Sequence, residues 1–177
     1  EKLVAAGCLS QQFQEGLARE IPELDVLLGT ESWPKILDAV NESYRTGKQV
    51  NCFDSAPCEH EELIPRQLVT PKYTAYVKIA EGCNNGCTFC YIPYVRGKAR
   101  SRPIPSVVHE VKRLAAQGVK EFNLIAQDLS YYGRDLGDGT NLAGLLRELV
   151  KVEGVKWIRL FYLYPTYFTD ELLDKRL

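Results

Sequence analysis

The 177-residue sequence contains no methionine, has a formal net charge of −1, and holds no apolar run long enough to cross a membrane. No signal peptide is visible. The near-zero charge decides neither for nor against nucleic acid, because a basic patch can be local. The glycine-rich stretch 133–139 lacks the Gly-Lys-Ser/Thr ending of a phosphate loop and reads as a flexible connection. The chain begins at Glu1 and stops at Leu177, inside an expected helix over 169–177, so it is expected to be part of a longer protein. Its length suits one domain, or a domain with part of another.

Against these absences stand six cysteines, three of them in one short run. Cys83, Cys87 and Cys90 have the spacing Cys-x3-Cys-x2-Cys, and no fourth cysteine or histidine follows nearby. Structural zinc takes four closed ligands, and ordinary electron-transfer iron–sulfur clusters take four cysteines. Three thiols leave one metal position open, where a substrate or cofactor can bind. The other readings of the run are a zinc knuckle or a cluster of buried thiols. Six cysteines beside an iron–sulfur pattern point to a reducing cytoplasm rather than to a disulfide scaffold.

Residues 1–50 read as α/β: a strand over 3–6, a helix over 11–19, a strand over 24–29, and a helix from Ser32 and Pro34 to 44–47. Residues 51–71, with Pro57, Pro65, Pro71 and an acidic run at 59–62, read as a linker. Residues 72–177 alternate strand and helix. Strands are expected over 73–80, 121–126 and 156–163, and helices over 106–117 and 142–150. Val107, Val108, Val111, Leu114 and Ala115 share one side of the first helix, and Gly118 stops it. Helices between apolar strands imply a parallel sheet. In parallel (β/α) barrels functional residues gather where strands end, here at Glu81-Gly82-Cys83, Gln127-Asp128 and Tyr164-Pro165.

The stretch 81–103, from Glu81-Gly82-Cys83 through Tyr91-Ile92-Pro93 to Arg102-Pro103, resembles the methylthiotransferase branch of the radical S-adenosylmethionine (SAM) enzymes. The resemblance implies an α/β fold: the C-terminal part of an N-terminal methylthiotransferase domain, then the first half of a partial (β/α)6 barrel. It implies an enzyme in which Cys83, Cys87 and Cys90 hold a [4Fe–4S] cluster and SAM binds the open iron. Reductive cleavage of SAM then yields a 5′-deoxyadenosyl radical that removes a hydrogen atom from carbon. Phe89 fits the family's preference for an aromatic residue before the last cysteine. Gly82 and Gly86 would let backbone approach the sulfurs. Gln127 and Asp128 stand where many members hold the SAM amino group, though a turn after the strand explains them nearly as well.

The stretch around Cys8 resembles the last of three N-terminal cysteine motifs that hold an auxiliary [4Fe–4S] cluster, which makes Cys8 a candidate ligand. Arg96, Arg100 and Arg102, with Lys98, follow the cysteine run; they read either as contacts to the cofactor carboxylate or an anionic substrate, or as a solvated loop. Cys52 and Cys58 read as ordinary reduced thiols despite nearby His60, and His109 as a surface residue. Ala126-Gln127-Asp128-Leu129-Ser130-Tyr131-Tyr132-Gly133 and the strand ending Leu163-Tyr164-Pro165 resemble the branch that acts on the β-carbon of an aspartate in a small-subunit ribosomal protein. The implied partners are that ribosomal protein and an electron donor such as flavodoxin or ferredoxin, with no membrane. The alternatives are a tRNA adenosine methylthiotransferase of the same family and, from another class, a non-catalytic metal-binding interaction module.

Overall fold

A computed structural model describes residues 1–54, 63–64 and 66–173. Cys58, His60, Pro57, Pro65, the acidic run at 59–62 and the end of the expected 169–177 helix lie outside the described residues. The chain divides into two compact units: the described residues within Glu1–Glu59 plus Phe89–Arg96, and those within His60–Thr88 plus Gly97–Leu177.

In the first unit, β1 (Val4–Ala6), β2 (Val26–Leu28) and β3 (Val50–Cys52) form a parallel sheet in that order. Their register places Ala6, Leu28 and Cys52 side by side. β2 is central, and all three of its residues are fully buried, as expected of a parallel strand covered on both faces. The helix α1 (Cys8–Glu20) follows β1 and is kinked at Gln14, where φ is +42°. A short turn at Trp33–Lys35 leads into α2 (Ile36–Thr46), which stops at Gly47 in the left-handed conformation. The linker expected from residue 51 onward therefore begins with a strand residue pair, Asn51 and Cys52. The four-residue helix α3 (Ile92–Val95) also packs in this unit, although its place in the sequence falls within 72–177.

The second unit is built on β4 (Thr74–Lys78), β7 (Glu121–Ile125) and β8 (Trp157–Leu160), parallel and in that order. A short antiparallel pair, β5 (Ala80–Glu81) with β6 (Arg100–Ser101), leaves the end of β4. The crossover helices are α4 (Ile104–Ala116) before β7 and α5 (Leu142–Leu149) before β8. Each new strand joins beside the last, the order of a (β/α) barrel wall. Val107, Val111 and Leu114 of α4, and Leu142, Leu145, Leu146 and Leu149 of α5, recur at helical spacing. They pack with Ala75, Val77, Phe122 and Leu124 of the sheet. Burial of each large aliphatic side chain contributes roughly 1.5–3 kcal/mol. Asn141 caps α5 by accepting from the Gly144 N–H at 2.8 Å. This packing holds the C-terminal ends of β4 and β7 side by side, where the site residues follow.

Candidate functional site

The chain leaves β4 at Lys78, pairs briefly as β5, and enters an irregular loop at Gly82. Gly82 is buried with φ of +79°, and a Cβ there would lie 2.2 Å from the Lys98 carbonyl oxygen. Only glycine fits beside that returning backbone. The next residue is pinned to the same return segment: Cys83 N–H donates to the Gly97 carbonyl at 3.2 Å. Asn84 Oδ1 accepts from the Ala99 N–H at 3.0 Å. Cys83 is buried, and its sulfur accepts from the Asn85 N–H at 3.4 Å. Cys87 is exposed. Cys90 is half-buried and lies in the segment that packs in the first unit, as does Phe89, which is 90% exposed. Among the described residues, no group of three or more His, Cys, Asp or Glu is arranged to hold a metal ion. The loop has neither helix nor strand between Gly82 and Cys90.

Gln127 and Asp128 lie two and three residues beyond the end of β7. Gln127 Nε2 donates to Glu81 Oε1 at 2.8 Å, and Lys78 Nζ lies 3.2 Å from the other Glu81 oxygen. Gln127 Oε1 is buried and has no hydrogen-bond partner. Asp128 is buried and accepts from Asn85 Nδ2 at 2.8 Å and from the Ser130 N–H at 3.0 Å. The two residues thus differ: Gln127 presents an unpaired acceptor, while Asp128 is engaged on both oxygens.

The arginines have separate surroundings. In the first unit, Arg96 Nη2 donates to Cys8 Sγ at 3.4 Å. Cys8 is exposed and opens α1 after Gly7. In the second unit, Arg100 is half-buried on β6. Arg102 points inward: its Nη1 donates to the Lys78 carbonyl at 2.7 Å and to Glu110 Oε2 at 2.6 Å, and its Nη2 donates to Ser106 Oγ at 3.0 Å. Glu110, buried on α4, also pairs with Arg66. Arg102 thereby anchors the sheet end to α4.

Cys52, on β3, is half-buried, and burial pushes its thiol above the ordinary value. His109 is exposed on α4. Sequence reasoning passed over Asn85, Ser130 and Glu110. For Glu110 a signal exists, since it falls between Val107 and Leu114 on the apolar face of α4. Asn85 carries none, because its partner lies 43 residues away.

A parallel β-sheet with crossover helices and a three-cysteine loop at a strand's C-terminal end defines an α/β protein of the (β/α) type. The chain belongs to the Radical SAM superfamily, whose profile matches residues 77–175, more than half of the sequence. It is 50% identical over 173 residues to the ribosomal protein uS12 methylthiotransferase RimO of Syntrophotalea carbinolica, covering 97% of this chain and 38% of that protein. It is 49% identical over 174 residues to the protein of that name from Symbiobacterium thermophilum, covering 98% and 36%. For that of Citrifermentans bemidjiense the identity is 47% over 173 residues, covering 97% and 38%. The chain thus spans less than two fifths of the length of these relatives.

The superfamily implies a [4Fe–4S] cluster and SAM as cofactors. The residues present fit them. Thiol sulfur is the ligand class that suits iron–sulfur clusters, and an amide already aims at Cys83 Sγ. The unpaired Gln127 Oε1 is an acceptor suited to an ammonium group such as that of SAM. No described helix is long and apolar enough to cross a membrane.

Proposed function

We propose that the protein carrying this chain is a radical SAM methylthiotransferase that places a methylthio group on the β-carbon of an aspartate in a small-subunit ribosomal protein. The observation that carries the substrate class is the identity of 44–50% over nearly the whole chain to proteins named ribosomal protein uS12 methylthiotransferase. The superfamily match favours an enzyme over a non-catalytic metal-binding module.

In this reading Cys83, Cys87 and Cys90 hold the cluster, and Cys8 belongs to an auxiliary cluster. When bound, the cluster and SAM together supply one-electron chemistry that removes a hydrogen atom from carbon. Such chemistry is required because side-chain bases, tuned over a few pKa units, do not deprotonate the weakly acidic β-carbon of aspartate. The chain's own residues orient. Gly82 lets the return segment 97–99 press against the loop and seats Cys83. Gln127 Oε1 accepts from the SAM ammonium, with Glu81 holding the amide in place. Arg100, half-buried on β6, and its neighbours Arg96 and Arg102 are the cations that can meet a carboxylate. Phe89 is an exposed aromatic surface available to SAM. The electron donor is of the flavodoxin or ferredoxin class, and the setting is the cytoplasm.

Anaerobic reconstitution followed by iron analysis and electron paramagnetic resonance tests the cluster. Cys87→Ala should lose the signal; a variant that keeps it overturns the assignment. For the substrate, the protein is incubated with SAM, a reductant, a sulfur source and either the ribosomal protein or unmodified tRNA. Mass spectrometry should find the methylthio increment on the ribosomal protein. An increment on tRNA alone assigns the chain to the tRNA adenosine branch instead.

A further inference from the structure

Asn85 lies two residues after Cys83 and two before Cys87, and its side chain donates to Asp128 Oδ2 at 2.8 Å. Asp128 is 6% exposed and stands three residues beyond the end of β7. Its other oxygen is occupied too: Oδ1 accepts from the Ser130 N–H at 3.0 Å and from Ser130 Oγ at 2.5 Å. Ser130 Oγ accepts in turn from the Tyr164 N–H at 3.1 Å, and the Leu129 N–H donates to the Tyr162 carbonyl at 3.0 Å. One buried carboxylate therefore joins the cysteine loop to the turn after β7, and that turn is tied to the segment after β8.

The contact has a consequence for the sulfur. The same residue that Asp128 grips by its side chain donates its backbone N–H to Cys83 Sγ. Fixing the Asn85 side chain fixes the direction of that N–H. The loop has no ladder or helix to hold it, so ordering it before metal arrives costs conformational entropy. A charge-assisted hydrogen bond to the buried Asp128 carboxylate offsets part of that cost.

We propose that Asp128 is a positioning residue for the cysteine loop, acting through Asn85 to set the chain between Cys83 and Cys87 against the strand ends before a cluster binds. Asp128 is then not the acceptor for the SAM ammonium; Gln127 takes that part alone. The inference rests on reading these cysteines as cluster ligands.

The test uses the full chain and four variants: Asp128→Asn, Asn85→Asp, Asn85→Ala, and the exchanged pair Asn85→Asp with Asp128→Asn. Asp128→Asn replaces the carboxylate by a neutral amide, so the bond is no longer charge-assisted, and Asn85→Asp sets two carboxylates face to face. The exchanged pair restores a donor and an acceptor with the polarity reversed. In the metal-free chain, amide hydrogen exchange over 83–88 should rise about tenfold in each single variant, the size expected for one charge-assisted hydrogen bond, while α4 and α5 keep their protection. After anaerobic loading, iron release to a chelator should be about tenfold faster in the single variants. Both quantities should return toward the original values in the exchanged pair. Asn85→Ala leaves the Asp128–Ser130 contacts intact, so it reads the loop even if Asp128→Asn disturbs the turn. Unchanged loop exchange in Asn85→Ala, or no recovery in the exchanged pair, overturns the inference. An unmodified chain that binds no iron overturns the cluster reading instead, and the exchange measurements on metal-free protein still decide the role of Asp128.

Discussion

Arg102 Nη1 donates to Glu110 Oε2 across 2.6 Å, and the two side chains retain only 13% and 5% of their exposure. Glu110 sits on the apolar side of α4 and takes a second guanidinium from Arg66. The pair clamps the segment after β6 to the crossover helix, and the Arg102 bond to the Lys78 carbonyl carries the clamp to the end of β4. The strand end that launches the cysteine loop is thereby held from behind.

Removing one member of a buried ion pair leaves the other uncompensated, at about 3–5 kcal/mol. Glu110→Ala, which leaves Arg102 without its carboxylate, should lower the second unit's unfolding free energy in urea by about that amount, and Arg102→Ala, which leaves Glu110 still paired with Arg66, should lower it by less. If Arg102→Ala unfolds at the original midpoint and instead weakens only substrate binding, the inward role assigned to Arg102 is wrong.

The two glycines of the loop should respond differently. Gly82→Ala places a Cβ 2.2 Å from the Lys98 carbonyl oxygen at a positive φ, whereas nothing lies within 4 Å of a Cβ at Gly86. Left-handed backbone at a non-glycine residue costs about 1–3 kcal/mol before any clash is added. Gly82→Ala should therefore lower the melting temperature of the metal-free chain, and Gly86→Ala should leave it nearly unchanged. Equal melting temperatures would show that segment 97–99 does not press on Gly82.

Much of the fold was legible because packing wrote it into the periodicity. Val107, Val111 and Leu114 give α4, and the β-rich runs give β4, β7 and β8. The strand β3 was not legible: it has three residues, polar Asn51 at its centre, and a proline-bearing stretch after it. The cysteine run was legible as a local spacing, and its place after β4 follows from the strand pattern before it. The different surroundings of Gln127 and Asp128 were not, because they depend on Glu81 and Asn85, brought near by the β4–β7 pairing rather than by sequence. The same holds for Arg102, whose partner Glu110 decides whether a cation in a basic run faces inward.

Cys52 gives a pH test. Burial is the main cause holding its thiol above the ordinary 9.0, with Asp54 adding to the effect and Lys35 opposing it. An acid whose pKa is raised by folding keeps its proton longer in the folded chain. Its stabilising share is complete below the ordinary thiol value and is lost as pH rises through the raised folded value. Across that alkaline window the stability of the unmodified chain should fall faster with pH than that of Cys52→Ala. Parallel profiles would mean that the thiol is not desolvated on β3.

Gln127 and Asp128 should separate in a binding experiment. Gln127 Oε1 is buried without a partner, while its Nε2 is held by Glu81. An ammonium donating to that oxygen would satisfy it, and a hydrogen bond to a charged group contributes about 1.5–3 kcal/mol. In the cluster-loaded chain, Gln127→Ala should raise the Kd for SAM by roughly tenfold or more. Its iron content, and its resonance spectrum without SAM, should stay as in the unmodified chain, because the Gln127 amide is held by Glu81 and not by the cysteine loop. Asp128→Asn should show the converse, a looser cluster with any loss of SAM affinity following from lost iron. An unaltered Kd in Gln127→Ala would place the SAM ammonium on another acceptor and leave the Oε1 atom unexplained.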